Sequence, residues 1–163
     1  MIKKQQLIRV ILLVFLALNC GTSFSQSFNE DKTAFANFIK RMYNSTPFEG
    51  VKVVDDYDHK YFISVLSLEK AKYTNISTMN RVAQVKAQSQ ANTFFNGSTI
   101  SSDLIIKTYE QKSKDSTSTI IQTIESIKEN AMGFTQGLEL LINFDTEEGK
   151  RMVFVYFREL KLK

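Results

Sequence analysis

The stretch TMNRVAQVKAQSQANTFFNG, residues 78–97, decides how the rest of the chain is read. Met79, Ala83, Ala87, Ala91 and Phe95 recur every four residues, which gathers them on one side of a helix of about Thr78 to Asn96. The three alanines in that series carry only a methyl group, so the helix backbone can come close to a flat apolar surface. Gly97 is well placed to end the helix. Gln84, Gln88 and Gln90 leave the remaining sides polar with few charges, the mark of a solvated face.

The segments on either side supply the flat surface. Val51 to Asp56 and Lys60 to Leu68 read as strands, and the short connection Tyr57-Asp58-His59 makes them an antiparallel hairpin. In the second strand Tyr61, Ile63 and Val65 alternate with Phe62, Leu66 and Leu68, so both faces need cover. Upstream, Phe35, Phe38, Ile39 and Met42 fall at i, i+3, i+4 and i+7 and predict a helix of about Glu30 to Tyr43. Ser27 and Glu30 have capping-box spacing at its start, and Asn44-Ser45-Thr46 leads to the only proline, Pro47, at its end.

Downstream, Ser98 to Glu110 reads as a strand and the polar run Gln111 to Ser118 as an exposed loop. From Thr119 two signals compete. Ile120, Ile124, Ile127, Ala131, Phe134, Leu138 and Leu141 step by four and three, a helical pattern, whereas the density of Ile and Thr with Gly133 and Gly137 favours extended structure. The expectation is a helix or bulged strand to about Asn130, then a strand from Leu138 to Phe144. Asp145 to Lys150 is a polar turn, and Arg151 to Leu160 is a last strand in which Val153, Val155 and Phe157 alternate with Phe154, Tyr156 and Arg158. The fold class is therefore α+β: an antiparallel sheet with an alanine-rich helix packed on one face, plus an N-terminal helix.

The opening of the chain reads as an export signal. Lys3, Lys4 and Arg9 precede an apolar run from Val10 to Leu18, too short for the roughly 20 apolar residues of a membrane span, and a polar exit follows. Small residues at Ser23 and Ser25 favour cleavage after Ser25, giving a signal at 1–25 and a single domain at 26–163. In the alternative, Leu16-Ala17-Leu18-Asn19-Cys20 acts as a lipoprotein box and Cys20 is lipidated, although Asn19 departs from the small residue that motif prefers. Removing three basic residues and no acidic ones takes the net charge from +4 to +1, which leaves no electrostatic footprint for nucleic acid. The single Cys leaves with the signal or becomes the anchor, so disulfides and thiol chemistry are excluded from the mature domain. Stability then rests on apolar packing, for which thirteen Phe and six Tyr provide the bulk.

The run from Ala83 to Asn92, the ending Phe94-Phe95-Asn96-Gly97, the strand from Ser98 to Thr108, the segment Gly133-Phe134-Thr135-Gln136-Gly137-Leu138-Glu139 and the closing strand Val153 to Phe157 follow one another in a recognisable order. That order resembles a bacterial envelope domain, similar to the roughly twenty-kilodalton surface lipoproteins and the N-terminal domain of a flagellar H-ring protein. The resemblance implies an alanine-rich helix on an antiparallel sheet, extended structure after Thr119, and a non-enzymatic role in assembly or surface attachment. It brings no catalytic residue with it.

Residues able to do chemistry are sparse. Asp55, Asp56, Asp58 and His59 form the only dense set of metal-ligand types, but they lack the glycine and distal Glu of a calcium loop, and a turn favours Asp in any case. With His59 the only histidine, zinc sites and Ser-His-acid triads are poorly supplied. Phosphate-cradling glycine motifs are missing from the sequence. No catalytic residue and no cofactor is expected. The reading is a periplasmic or secreted, non-catalytic domain, or one lipid-anchored to the outer membrane, that contacts an envelope protein or its own copy, with no transmembrane segment in the mature chain. Phe154 and Tyr156 are the expected exposed interface, should the helices cover the Val153 side. A carrier with an aromatic-lined cavity between helix and sheet is the alternative; weak divalent metal binding at Asp55 to His59 is a second.

Overall fold

In the computed structural model, residues 24–56, 59–97, 105–107, 114–128 and 131–161 are described. The chain divides into two compact units, Met1–Met42 and Tyr43–Lys163. Helix α1, Phe24–Ser45, fills the described part of the first unit and ends with its last turn in the second. Ser27 therefore lies inside a helix already running at Phe24 and not at its start, and the apolar stripe Phe35, Phe38, Ile39 and Met42 falls on one side as its spacing requires.

The second unit is built on a sheet. Strand β1, Gly50–Asp56, pairs antiparallel with β2, His59–Glu69, and the register sets Asp56 opposite His59 across the short turn. Helix α2, Ile76–Gly97, follows. The Asn75 side chain accepts a hydrogen bond from the Thr78 backbone N–H at 2.8 Å, satisfying one of the free donors of the first turn. Strand β3, Ile105–Lys107, lies parallel to β1, and the chain returns through helices α3, Lys114–Lys128, and α4, Ala131–Gln136. Strands β4, Glu139–Thr146, and β5, Arg151–Glu159, close as an antiparallel hairpin beside β2. The strand order is β3-β1-β2-β5-β4. The fold is α+β, with every described pairing antiparallel except β1 with β3.

Register decides what the alanine helix covers. In β2 and β5, Phe62 pairs with Arg158, Ser64 with Tyr156, Leu66 with Phe154 and Leu68 with Met152, so these residues share one face. That face lies under α2, whose Ala83, Ala87 and Ala91 are fully buried in one core with Phe62, Leu66, Phe154 and Tyr156. Ser64 donates to Gln90 Oε1 at 2.7 Å, so this glutamine turns toward the sheet and is not part of the solvated face. At the C-terminal end of α2, the Phe62 and Phe95 rings stack with centroids 5.0 Å apart, and Phe134 stands edge-on to both at 5.5 and 5.2 Å. Such aromatic pairs contribute about 0.5–1.5 kcal/mol each beyond their buried area.

The competition after Thr119 resolves toward helix. Ile120 and Ile124 have no exposed surface and join the α2 core, as four-residue spacing on one helical face predicts, so the extended structure implied by the envelope-domain resemblance is not what forms there. The last part of the expected loop at Gln111 to Ser118 is likewise helical from Lys114. Most of the expected strand from Ser98 to Glu110 lies outside the described residues. The β4–β5 connection holds Glu147 and Glu148 at φ 50° and 57°, left-handed values that cost a side-chain-bearing residue about 1–2 kcal/mol.

A larger side chain in the alanine stripe has nowhere to go. Ala87→Leu should lower the unfolding free energy by about 1–3 kcal/mol through overpacking, read from the urea midpoint at unchanged slope, while Gln84→Leu on the exposed side should change it by less than about 0.5 kcal/mol.

Candidate functional site

Alternation along β1 and β2 divides the predicted metal cluster. Asp55 and Lys60 are register partners on the α2 side, whereas Asp56 and His59 pair on the opposite side. Asp55 is completely buried and Lys60 nearly so, and the Lys60 ammonium lies 2.5 Å from the Asp55 carboxylate. His59 is exposed; its Nδ1 meets Glu159 Oε1 at 2.7 Å, and its ring stacks on Tyr61 with centroids 6.0 Å apart. Asp58 and the lipidation candidate Cys20 lie outside the described residues. Among the described residues no three His, Cys, Asp or Glu side chains come together as a group able to hold a metal ion. Asp55 is thus placed with a lysine inside the sheet layer, on the other side of the hairpin from Asp56 and His59.

The expected aromatic interface is also placed elsewhere. Phe154 has no exposed surface and Tyr156 only 4%, because α2 covers their side of β5. The condition attached to that expectation, cover on the Val153 side by the helices, is not the one that α2 meets. Tyr156 donates weakly to the Asn80 backbone oxygen at 3.4 Å, and burial pushes its phenol above the usual value of 10.0. Tyr43 moves the same way, chiefly by burial and then by the negative charge of Glu49.

Two arginines do structural tasks that sequence reading had not assigned. Arg151 donates from Nε to Ser67 Oγ at 2.7 Å and from Nη2 to the Ser67 backbone oxygen at 3.0 Å, with Glu49 and Glu147 each 3.7 Å away. Arg158 donates to the Gly133 and Phe134 backbone oxygens at the end of α4, a helix end that favours a cation, and its guanidinium lies 4.7 Å from the Phe134 ring centre. A side chain at Gly137 would run into that guanidinium. The register of the last hairpin was the signal for Arg158, since a charged residue in phase with Phe154 and Tyr156 needs a polar partner on the covered face.

Of the clefts, one of about 490 Å3 runs along the outer side of α2, lined by Val85, Gln88, Ser89, Asn92, Thr93 and Asn96. Its lining mixes polar and apolar surface and lies on the side of the helix away from the sheet. The aromatics that a carrier would use to line a cavity are packed on one another.

No helix among the described residues is long and apolar enough to cross a membrane. No protein-family model, characterised protein or solved structure matches the chain.

Two outcomes follow from the buried groups. Lys60→Met leaves the Asp55 carboxylate buried without its cation and should destabilise by about 3–5 kcal/mol, whereas the double substitution Asp55→Leu with Lys60→Met should recover most of that loss; urea unfolding of the three proteins checks both. The tyrosines set an alkaline limit. Their folded forms hold the neutral phenol above the ordinary value, so their stability contribution is complete below 10.0 and is lost as pH rises through 10.0 toward the folded values. Unfolding free energy measured against pH should fall in that window, and less steeply for Tyr156→Phe.

Proposed function

We propose that this chain is an exported, non-catalytic envelope domain that works by contacting another protein. The observation that supports it best is the disposition of the reactive side chains. Asp55 is committed to Lys60 inside the domain, and His59, the only histidine, sits with Glu159 in an exposed pair on the other side of the sheet. An acid, a base and a cleft are not assembled at one point among the described residues. The opening sequence supplies the location: a basic start, a short apolar run and a small-residue exit address the chain out of the cytosol, with Gln26 as the first mature residue or Cys20 as a lipid anchor. An outer-membrane lipoprotein and a soluble periplasmic protein both accommodate the same contact role.

The test is to express the full chain in a Gram-negative bacterium, fractionate the cells, and determine the mature N-terminus by mass. A chain in the periplasmic or envelope fraction that begins at Gln26, or at a diacylated Cys20, and that yields cross-links to an envelope protein fits the proposal. A chain recovered from the cytosol with Met1 intact contradicts it.

A further inference from the structure

We propose that Asn96–Gly97 is a modification site, at which the folded chain deamidates spontaneously through a succinimide and gains a carboxylate at the C-terminal end of α2; this stands apart from the contact role proposed above.

The reaction asks three things of an asparagine: a side-chain amide open to water, a following backbone nitrogen that can reach it, and a main chain loose enough to bring the two together. Asn96 is the only asparagine followed by glycine, and both residues are exposed. Gly97 is also the last residue of α2, where a helix frays. With no Cβ it adopts the widest range of backbone angles, and nothing lies within 4 Å of the place a Cβ would take, so the turn toward Asn96 meets no neighbour.

The other described asparagines each fall short of one condition. Asn37, Asn80 and Asn92 stand inside helices, where the next N–H is tied to the carbonyl four residues back. Asn80 Oδ1 is buried, and Asn92 Oδ1 is held by Thr135. Asn75 accepts from the Thr78 backbone N–H and precedes a β-branched residue, Ile76. Asn143 sits within β4 and precedes the bulky Phe144. Asn44 shares the helix-end setting, but Ser45 after it carries a side chain that crowds the approach.

In the first step hydroxide removes the Gly97 N–H proton, the nitrogen attacks Asn96 Cγ, the N–Cγ bond forms, the Cγ–Nδ2 bond breaks and ammonia leaves. Water then opens the imide ring. Opening at the side-chain carbonyl gives aspartate, and opening at the main-chain carbonyl gives isoaspartate; water is consumed, ammonia is released, and nothing is oxidised or reduced. The new charge falls where the unpaired carbonyls of a helix end are already negative, directly after Phe94 and Phe95 of the core. It also enters a cleft whose described lining carries no charged residue, since Asn96 borders it with Gln88, Ser89, Asn92 and Thr93.

The full chain is incubated at neutral and mildly alkaline pH, folded and in urea, and its peptides are followed by mass in heavy-oxygen water, with isoaspartyl methyltransferase labelling of the products. In the folded chain Asn96 should convert roughly tenfold faster than Asn37, Asn80, Asn92 or Asn143, and faster still at the higher pH. Each product should hold one heavy oxygen, and isoaspartate should appear beside aspartate. Gly97→Ala, which the open space and the helix both accept, should slow the folded conversion about tenfold. An Asn96 amide that persists in the folded chain yet is lost in urea would overturn the proposal, as would earlier conversion at another asparagine, aspartate without isoaspartate, or an unchanged rate in Gly97→Ala.

Discussion

The close approach of the alanine side of α2 to the β2–β5 pair is the constraint on which the second unit depends. Methyl groups at Ala83, Ala87 and Ala91 let the helix sit low enough for Phe62, Phe94, Phe95 and Phe154 to fill the space at its margins. Side-chain bonds help fix its placement, the shortest being Ser64 to Gln90 at 2.7 Å from the sheet and Thr135 to Asn92 at 3.0 Å from α4. No cysteine lies among the described residues, so apolar packing and hydrogen bonds, not a disulfide, hold α2 on the sheet.

The same constraint governs what the domain can offer to its surroundings. Because α2 covers the Phe154 and Tyr156 side of β5, Phe62, Phe95, Phe154 and Tyr156 are interior, and among the described residues the large apolar side chains left exposed are Ile76, Val85, Met132 and Leu140. Two sets of covered polar groups are matched locally: Asp55 by Lys60, and the carbonyls ending α4 by Arg158. A buried ion pair between neighbouring strands adds little net stability over apolar replacements, and its usefulness here is to the β1–β2 register, since a slip would separate the two charges.

How far the sequence could be read varies with the range of the interaction. The β1–β2 hairpin, α2 and β5 were legible because each follows from local spacing: a short turn, a four-residue repeat, a two-residue alternation. In α3 the side-chain period outweighed the β-propensity of Ile and Thr, because Ile120 and Ile124 on one helical side find the core under α2. The parallel pairing of β3 with β1 was not legible, since it joins segments separated by β2 and α2 and leaves no local trace. Nor was the covered face of β5, where Val153 and Val155 alternate with Phe154 and Tyr156 and both sets are apolar. The division of Asp55 from Asp56 and His59 was available from alternation alone.

The placement of α2 can be read directly from the reactivity of one ring. Nitration of the folded chain, mapped by mass spectrometry and compared with the urea-unfolded chain, should leave Tyr156 unmodified until unfolding, because its phenol lies beneath the helix against the Asn80 carbonyl. Modification of Tyr156 in the folded protein at the rate seen in the unfolded chain would contradict the packing from which the rest of the account follows.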